Sequence, residues 1–352
     1  MTETTDDKLL QQFFSDNRKE IEDNGFSRRV MHHLPNRYYR ISQLWSLFCF
    51  TLAVVLAFVL LSTSFATVAN FCLILSQVSI NGICAIGVSM VVFLGGIDLS
   101  SGAILALCAS CSGMFVNMGI PVFFCILMSM AIGVLCGLFN GALVARLRIP
   151  PIIATMASMN IFRGIAIVVT KGDWITGFPK YFNTLGQGRI CGIPIPFWIF
   201  AIITASCGIL MKYFNIGRKI YAVGGNINAA ELAGMDVVRT KLIAYMISGG
   251  LIGLAGTVYA SMVGTISAST TGSSLGFQIL ASALIGGMSI NGGKGTVIGT
   301  FLGVMLLGVI SNGLILSRVS EYWVDTVTGS IIIVALSINA IKNLRNQRSV
   351  MI

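Results

Sequence analysis

Four ionisable side chains lie inside or at the edges of long apolar runs: Asp98, Arg163, Glu321 and Asp325. Both histidines, His32 and His33, sit near the N-terminus, away from those runs. Covalent or acid–base chemistry needs a nucleophile beside a base, paired carboxylates or a histidine cluster. This inventory forms none of them, so a membrane-embedded enzyme is not indicated. A proton or sodium relay needs acids or histidines in series within the membrane. One Asp and two acids at a segment edge make a poor relay. Cys108 and Cys111 form a CxxC, but inside an apolar run and without a second pair. Most of the nine cysteines lie in such runs, where Cys is a small packing residue. The stretch SINGGKGT (289–296) resembles a phosphate loop at first sight. That loop requires Gly at 288 and Ser or Thr at 295; the sequence has Met288 and Gly295. It reads as a glycine-rich turn between two apolar segments.

What remains are amides and two isolated charges. Gln77, Asn81, Asn160, Gln278 and Asn312 fall at mid-run positions. Each is first an interhelical hydrogen-bond partner; as a set they suit a neutral, hydroxyl-rich solute. Asp98 sits in LGGIDLSSGA (94–103). It reads either as the N-cap of the next helix or as part of a broken helix lining a pathway. Arg163, in MNIFRGIAI, either reaches back to the outer surface along its aliphatic stem or faces a polar cavity.

These residues need elements to position them, and composition says which. Of 352 residues, 55% are hydrophobic and only 10% charged. Soluble domains carry about 25% charge, so lipid is the consistent solvent. A spanning helix needs about 20 mostly apolar residues. Ten segments qualify: 44–62, 70–94, 99–118, 121–144, 150–170, 196–213, 242–263, 276–290, 295–316 and 323–341. The eighth is short and glycine-bounded, as a half-helix or re-entrant segment would be. The fold expected is an all-α polytopic membrane protein with about ten transmembrane helices. Residues 1–43 form a solvated tail with a short amphipathic helix near 8–23. Residues 44–341 form the transmembrane domain, and residues 342–352 a second tail. The first apolar run follows a long charged segment and has no small-residue cleavage site, so the N-terminus is expected to be retained.

Base counting sets an orientation. With the N-terminus inside and alternating spans, inside segments hold eighteen of the 23 bases and outside segments four; Arg163 is within a span. Cytoplasmic loops carry the excess of Lys and Arg, so both termini are expected in the cytoplasm. The formal net charge of +10 is thus distributed between apolar runs, which argues against a nucleic-acid surface. Residues 171–195 form a polar, aromatic outer loop, and 214–241 a basic inner one. Within the inner loop, GGNINAAELAGMD (224–236) reads as a short helix, with Asn228 as its cap and Ala229, Ala230 and Ala233 as helix formers. A short helix presented from a membrane domain suits docking into a partner's groove; an ordinary connector is the competing reading. Glycines four apart recur at Gly133, Gly137 and Gly141, at Gly249 and Gly253, and at Gly295, Gly299 and Gly303. Such faces let helices approach closely in lipid.

The order of these landmarks resembles a family. GGIDLSSGA (95–103), NGALVARLRIPPIIATMASMNIFRGIA (140–166), GFPKYFNTLGQGRICGIPIP (177–196), GRKIYAVGGNINAAELAGMDV (217–237), LIGGMSINGGKGTVIGT (284–300) and NGLIL (312–316) are collinear with permease subunits of bacterial ABC importers of the ribose/xylose/galactose type. The similarity covers about residues 65–341. It implies a bacterial inner-membrane subunit that moves a monosaccharide by alternating access and is not itself an enzyme. It implies separate ATPase subunits holding ATP and Mg, a second permease subunit, identical or paralogous, and a periplasmic or surface sugar-binding protein. No cofactor or metal is expected on this chain. Asn228, Ala229, Ala230, Glu231, Leu232, Ala233 and Gly234 match the family's ATPase-contacting loop, with Asn228 where the wider class often has Glu. The sequence departs from the family at Gly276-Phe277-Gln278-Ile279, where members often carry an acidic Glu-Leu-Asp-Ala pattern, and at Ser101, where Val is common. An ABC permease for a nucleoside or a branched-chain amino acid, or a carrier acting alone, is the alternative.

Overall fold

A computed structural model describes residues 37–61 and 65–317, with residues 37–43 and 61 by backbone alone, and positions 323, 326, 329, 330 and 333. Contacts divide the chain into Met1–Gln43 and Leu44–Ile352. Among the described residues, the second unit holds every helix long and apolar enough to cross a membrane. The expected tail helix near 8–23, the tail 342–352, Glu321 and Asp325 lie outside the described residues, as does nearly all of the expected segment 323–341.

The described chain is helical. Its helices are α1 (Arg37–Leu61), α2 (Val68–Phe93), α3 (Ser101–Asn117), α4 (Val122–Ala145), α5 (Pro151–Thr170), α6 (Lys180–Gln187), α7 (Ile195–Tyr213), α8 (Asn215–Gly225), α9 (Ile227–Leu232), α10 (Val237–Val263), α11 (Leu275–Ile285) and α12 (Val297–Leu316). Two short strands, β1 (Arg189–Ile190) and β2 (Ile193–Pro194), pair antiparallel after α6. The six helices of spanning length are α2, α4, α5, α7, α10 and α12. Three other expected segments coincide with shorter apolar helices: the stretch Leu44–Leu60 of α1, α3 and α11. The eleven residues of α11 rise about 16 Å, roughly half a hydrocarbon core.

The helix ends follow local chemistry. Thr67 caps α2 and Thr296 caps α12, each hydroxyl accepting an amide of the first turn. Asp236 does the same for α10, accepting the Arg239 amide at 2.8 Å. Gly264, at φ +75, ends α10 in the left-handed conformation that glycine adopts without strain.

Two buried helices, α2 and α3, form the centre. From Ser101 to Gly113 every α3 residue is buried, as befits a helix that is apolar all round. Against them lies α10, joined to α4 by a glycine seam. A Cβ on Gly249 would stand 2.0 Å from the Gly133 carbonyl oxygen, and one on Gly137 2.1 Å from that of Tyr245. A second seam joins α11 to α12, where a Cβ on Gly299 would meet the Gly286 oxygen at 2.1 Å. The periodic glycines are thus contact points between backbones. The outer faces of α1, α4, α5 and α7 leave large apolar side chains exposed, among them Leu60, Leu135, Val168 and Ile202. Over a third of the side chain is bare at each, as lipid contact requires.

Two connectors hold more structure than the sequence suggests. In the 171–195 loop, α6 buries Phe182 and Gly186, four apart, with Leu185 packed half-buried beside them. A Cβ on Gly186 would meet the Met262 amide nitrogen at 2.2 Å, so α6 lies flat against the end of α10. In the 214–241 loop, α8 buries Gly217, Ile220 and Val223, a 3.6-residue stripe within a basic segment.

Candidate functional site

Two regions carry the residues singled out in the sequence: the break between α2 and α3, and the α8–α9 connector. The break follows from its glycines. After Phe93, Gly95 takes φ +76 and the chain runs non-helically to Ser100. Asp98 lies here, buried. Its Oδ1 accepts the Ser100 amide at 2.9 Å and the Ser100 hydroxyl at 2.6 Å. Ser100 Oγ in turn accepts the Asn140 side-chain amide of α4 at 2.8 Å. Thr155 of α5 clamps the same stretch: its hydroxyl lies 3.1 Å from the Ile97 carbonyl and 3.3 Å from the Leu99 amide, which donates to it. The N-cap expectation for Asp98 is corrected. Helix α3 begins at Ser101, so Ser100 holds the cap position and Asp98 is two residues too early. Its carboxyl instead stabilises the bend two residues on, as Asx turns do.

The other candidates separate into three kinds. Asn312 is buried, and its amide exchanges hydrogen bonds of 3.0 Å with that of Asn70 on α2. Arg163 does not stand free. It is half-buried, and its Nη1 donates to the carbonyls of Ala268 and Thr271 at 2.8 and 2.5 Å. It therefore ties α5 to the α10–α11 connector, which itself pairs with the 171–195 loop through Ile175 and Ile266. Gln77 and Asn81 lie four apart on one face of α2, exposed and half-buried respectively. Asn160 is exposed on α5, its amide donating to the Met156 carbonyl at 3.2 Å, and Gln278 is half-buried on α11. Among the described hydrogen bonds, none joins Gln77, Asn81, Asn160, Arg163 and Gln278 to one another. Sequence reading missed Asn70, Asn140 and Thr155 as partners. Asn140 and Thr155 lie in a landmark segment and Asn70 opens the expected segment 70–94, but nothing in the spacing shows which helix faces them.

The connector region is built around close backbone approaches. Helix α8 ends around Gly224, where a Cβ would come within 1.8 Å of the Phe93 carbonyl oxygen at the end of α2. The Gly293 amide donates to that same oxygen at 2.8 Å. Tyr221 of α8 stacks obliquely on Phe93, ring centres 4.8 Å apart, and donates its hydroxyl to the Gly295 carbonyl at 3.0 Å. Three segments thus meet: the end of α2, the end of α8 and the 289–296 glycine turn. Beyond this seat stands α9. Its cap is Asn226, not Asn228. Asn226 has extended backbone (φ −159, ψ 107), and its Oδ1 accepts the Ala229 amide at 3.0 Å. Asn228 already lies within the helix and cannot serve; in this NxN pair the first Asn caps, where the sequence pointed to the second. Ala230 is buried as part of the main hydrophobic cluster, whereas Asn228, Ala229, Glu231, Leu232, Ala233 and Gly234 are exposed, Leu232 to 91%. Gly234 has φ +74 and ends the helix.

A family model described as "Branched-chain amino acid transport system / permease component" matches residues 70–336. A second model, for a domain of unknown function, matches residues 7–83. The chain is 37% identical over 281 residues to the ribose import permease protein of Haemophilus influenzae, covering 79% of this chain and 87% of the relative. With that of Bacillus subtilis it shares 36% over 287 residues, 81% and 88% of the two chains. It is also 34% identical over 306 residues to the autoinducer 2 import system permease protein of Shigella flexneri, covering 84% and 89%. No solved structure matches. The chain belongs to the permease family described as the permease component of the branched-chain amino acid transport system.

Proposed function

We propose that this chain is the membrane-spanning permease subunit of an ATP-binding-cassette importer, and that its cargo is a monosaccharide. The observation that supports this most is the likeness to ribose import permeases along 87% and 88% of their length. The family description mentions branched-chain amino acids, but these relatives import ribose and autoinducer 2. The amides of α2, α5 and α11 suit hydroxyl groups better than they suit a charged amino-acid backbone, which calls for fixed counter-charges. Ten spans with both ends cytoplasmic, in a bacterial inner membrane, accord with the base asymmetry.

The mechanism proposed is alternating access. Two partner ATPase subunits bind ATP and Mg and close. Their motion reaches the exposed face of α9, residues 228–234, and through the Ala230 side passes to the seat of α8. From there it enters α2 at Phe93 and the 289–296 turn. A second permease subunit completes the pathway, and a separate binding protein delivers the sugar. Gln77, Asn81, Asp98, Asn160, Arg163, Gln278 and Asn312 are the polar residues proposed to line or brace that pathway.

Reconstituted vesicles test this. The chain with its ATPase and binding protein is expected to accumulate radiolabelled ribose or a related pentose only with ATP inside the compartment that holds the ATPase. Uptake by the chain alone, driven by an ion gradient, would overturn the proposal in favour of a carrier.

A further inference from the structure

An open pocket of about 340 Å³ lies where the α7 span ends, between the first turns of α8 and α10. Asn215, Ile216 and Lys219 line it from α8; Asp236, Arg239, Thr240 and Ile243 line it from α10. Several of these groups are already engaged. Asp236 Oδ1 caps α10 through the Arg239 amide at 2.8 Å, and the Thr240 hydroxyl donates to the Asp236 carbonyl at 2.7 Å. Asn215 Oδ1 accepts the Arg218 guanidinium. Among the described residues, no hydrogen bond or ion pair engages the Lys219 ammonium or the Arg239 guanidinium. Two cations from separate helices therefore face one cavity whose remaining wall includes two isoleucines.

The depth of the pocket is marked by its neighbours. Helix α7 is apolar until Lys212 and Tyr213 and is followed by Phe214, all three exposed. The Lys212 ammonium sits 4.9 Å from the centre of the Tyr213 ring. Aromatic and basic residues at the end of an apolar span mark headgroup level. Residues 212–241 carry five bases and two acids. Basic pockets between membrane helices at this level bind anionic lipid headgroups.

We propose that this pocket binds the headgroup of an anionic phospholipid. The phosphate is held between Lys219 and Arg239, and the glycerol and first acyl carbons lie against Ile216 and Ile243. A soluble anion would find no use for the apolar wall. A lipid in this place joins α8 to α10, the two helices between which α9 is strung. It would therefore stiffen the seat of α9; this consequence rests on the coupling role proposed for α9, whereas the binding itself does not.

The test uses the complex of permease and ATPase subunits, reconstituted in vesicles of phosphatidylcholine alone or with added phosphatidylglycerol or cardiolipin. After extraction, native mass spectrometry is expected to show an anionic phospholipid retained on the wild type. In a Lys219→Gln/Arg239→Gln double variant, retention should fall about tenfold; Lys241→Gln, outside the pocket, should keep it. If the double variant does not assemble, Lys219→Gln alone, at an exposed position, is expected to show a smaller drop. Equal retention by wild type and variants overturns the proposal. So does displacement by inorganic phosphate, which would mark a free-anion site, and so does loss of ATPase with lipid retention unchanged, which would mark a protein contact. If Glu231→Lys leaves transport intact while lipid retention still depends on Lys219 and Arg239, the coupling reading fails and this one stands.

Discussion

The Tyr221 hydroxyl donates to the Gly295 carbonyl at 3.0 Å, across 74 residues of sequence. That bond fastens the connector helix α8 to the turn before α12. One turn later on α8, Gly224 lies so close to Phe93 that no side chain fits. Together the two contacts bind the base of α9 to both central and peripheral spans.

Gly224→Ala is the sharpest probe of this seat. The new methyl would stand 1.8 Å from the Phe93 oxygen, so α8 must shift. Overpacking of this kind costs about 1–3 kcal/mol. The expected phenotype is a folded permease whose ATP consumption per sugar imported rises severalfold. Tyr221→Phe removes one hydrogen bond, worth about 1 kcal/mol, and should show a milder version. Transport and ATP hydrolysis measured on the same vesicles check both.

On α9 itself, Glu231→Lys is a better test of coupling than any substitution of Gly234. Glu231 is exposed and helical, so a lysine fits without strain. Gly234, at φ +74, penalises every side chain whatever it contacts. Glu231→Lys is expected to leave folding unchanged and lower transport at least several-fold. Normal transport with normal ATPase co-purification would return α9 to the role of a connector.

The Asn70–Asn312 pair calls for a double-mutant cycle. Asn312→Ala leaves the Asn70 Oδ1 buried without its donor, while the Asn70 Nδ2 keeps the Phe65 carbonyl at 3.2 Å, at a cost of about 1–2 kcal/mol. Asn70→Ala should cost a similar amount. The double variant is expected to lose less than the sum of the two. Thermal unfolding in detergent measures this; strict additivity would show that the bond contributes nothing.

At the α2–α3 break, Asp98→Asn keeps an acceptor oxygen for the Ser100 amide and hydroxyl, whereas Asp98→Ala orphans both. The alanine variant should be destabilised by about 1–3 kcal/mol and the asparagine variant by less. The order of their melting temperatures checks it; equal losses would show that the negative charge, not the acceptor, is what the bend uses.

Arg163→Ala removes both bonds that hold Ala268 and Thr271. The 264–274 connector should then open more readily, and protease cleavage there should accelerate. Lysine at 163, with no second fixed N–H, should recover only part of the protection. An unchanged cleavage rate would show that the loop is held by its pairing with Ile175 alone.

The sequence by itself determined the solvent, the helical class and the family. Those depend on local quantities: apolar run length, scarcity of charge, and a collinear set of segments. It also announced the glycine seams, because small residues four apart signal contact whatever the partner. It did not announce the partners. That Gly137 meets Tyr245, that Asn140 reaches Ser100, and that Arg163 bonds to the backbone of residues 268 and 271 depend on which helices lie side by side. Periodicity fixes the face of a helix but not its neighbour. The same limit explains the two corrected caps. Asn226 and Asn228, like Asp98 and Ser100, are equally good capping residues two positions apart. The choice between them fell to the helix start itself, which the seat against Phe93 and the clamp of Thr155 set in three dimensions.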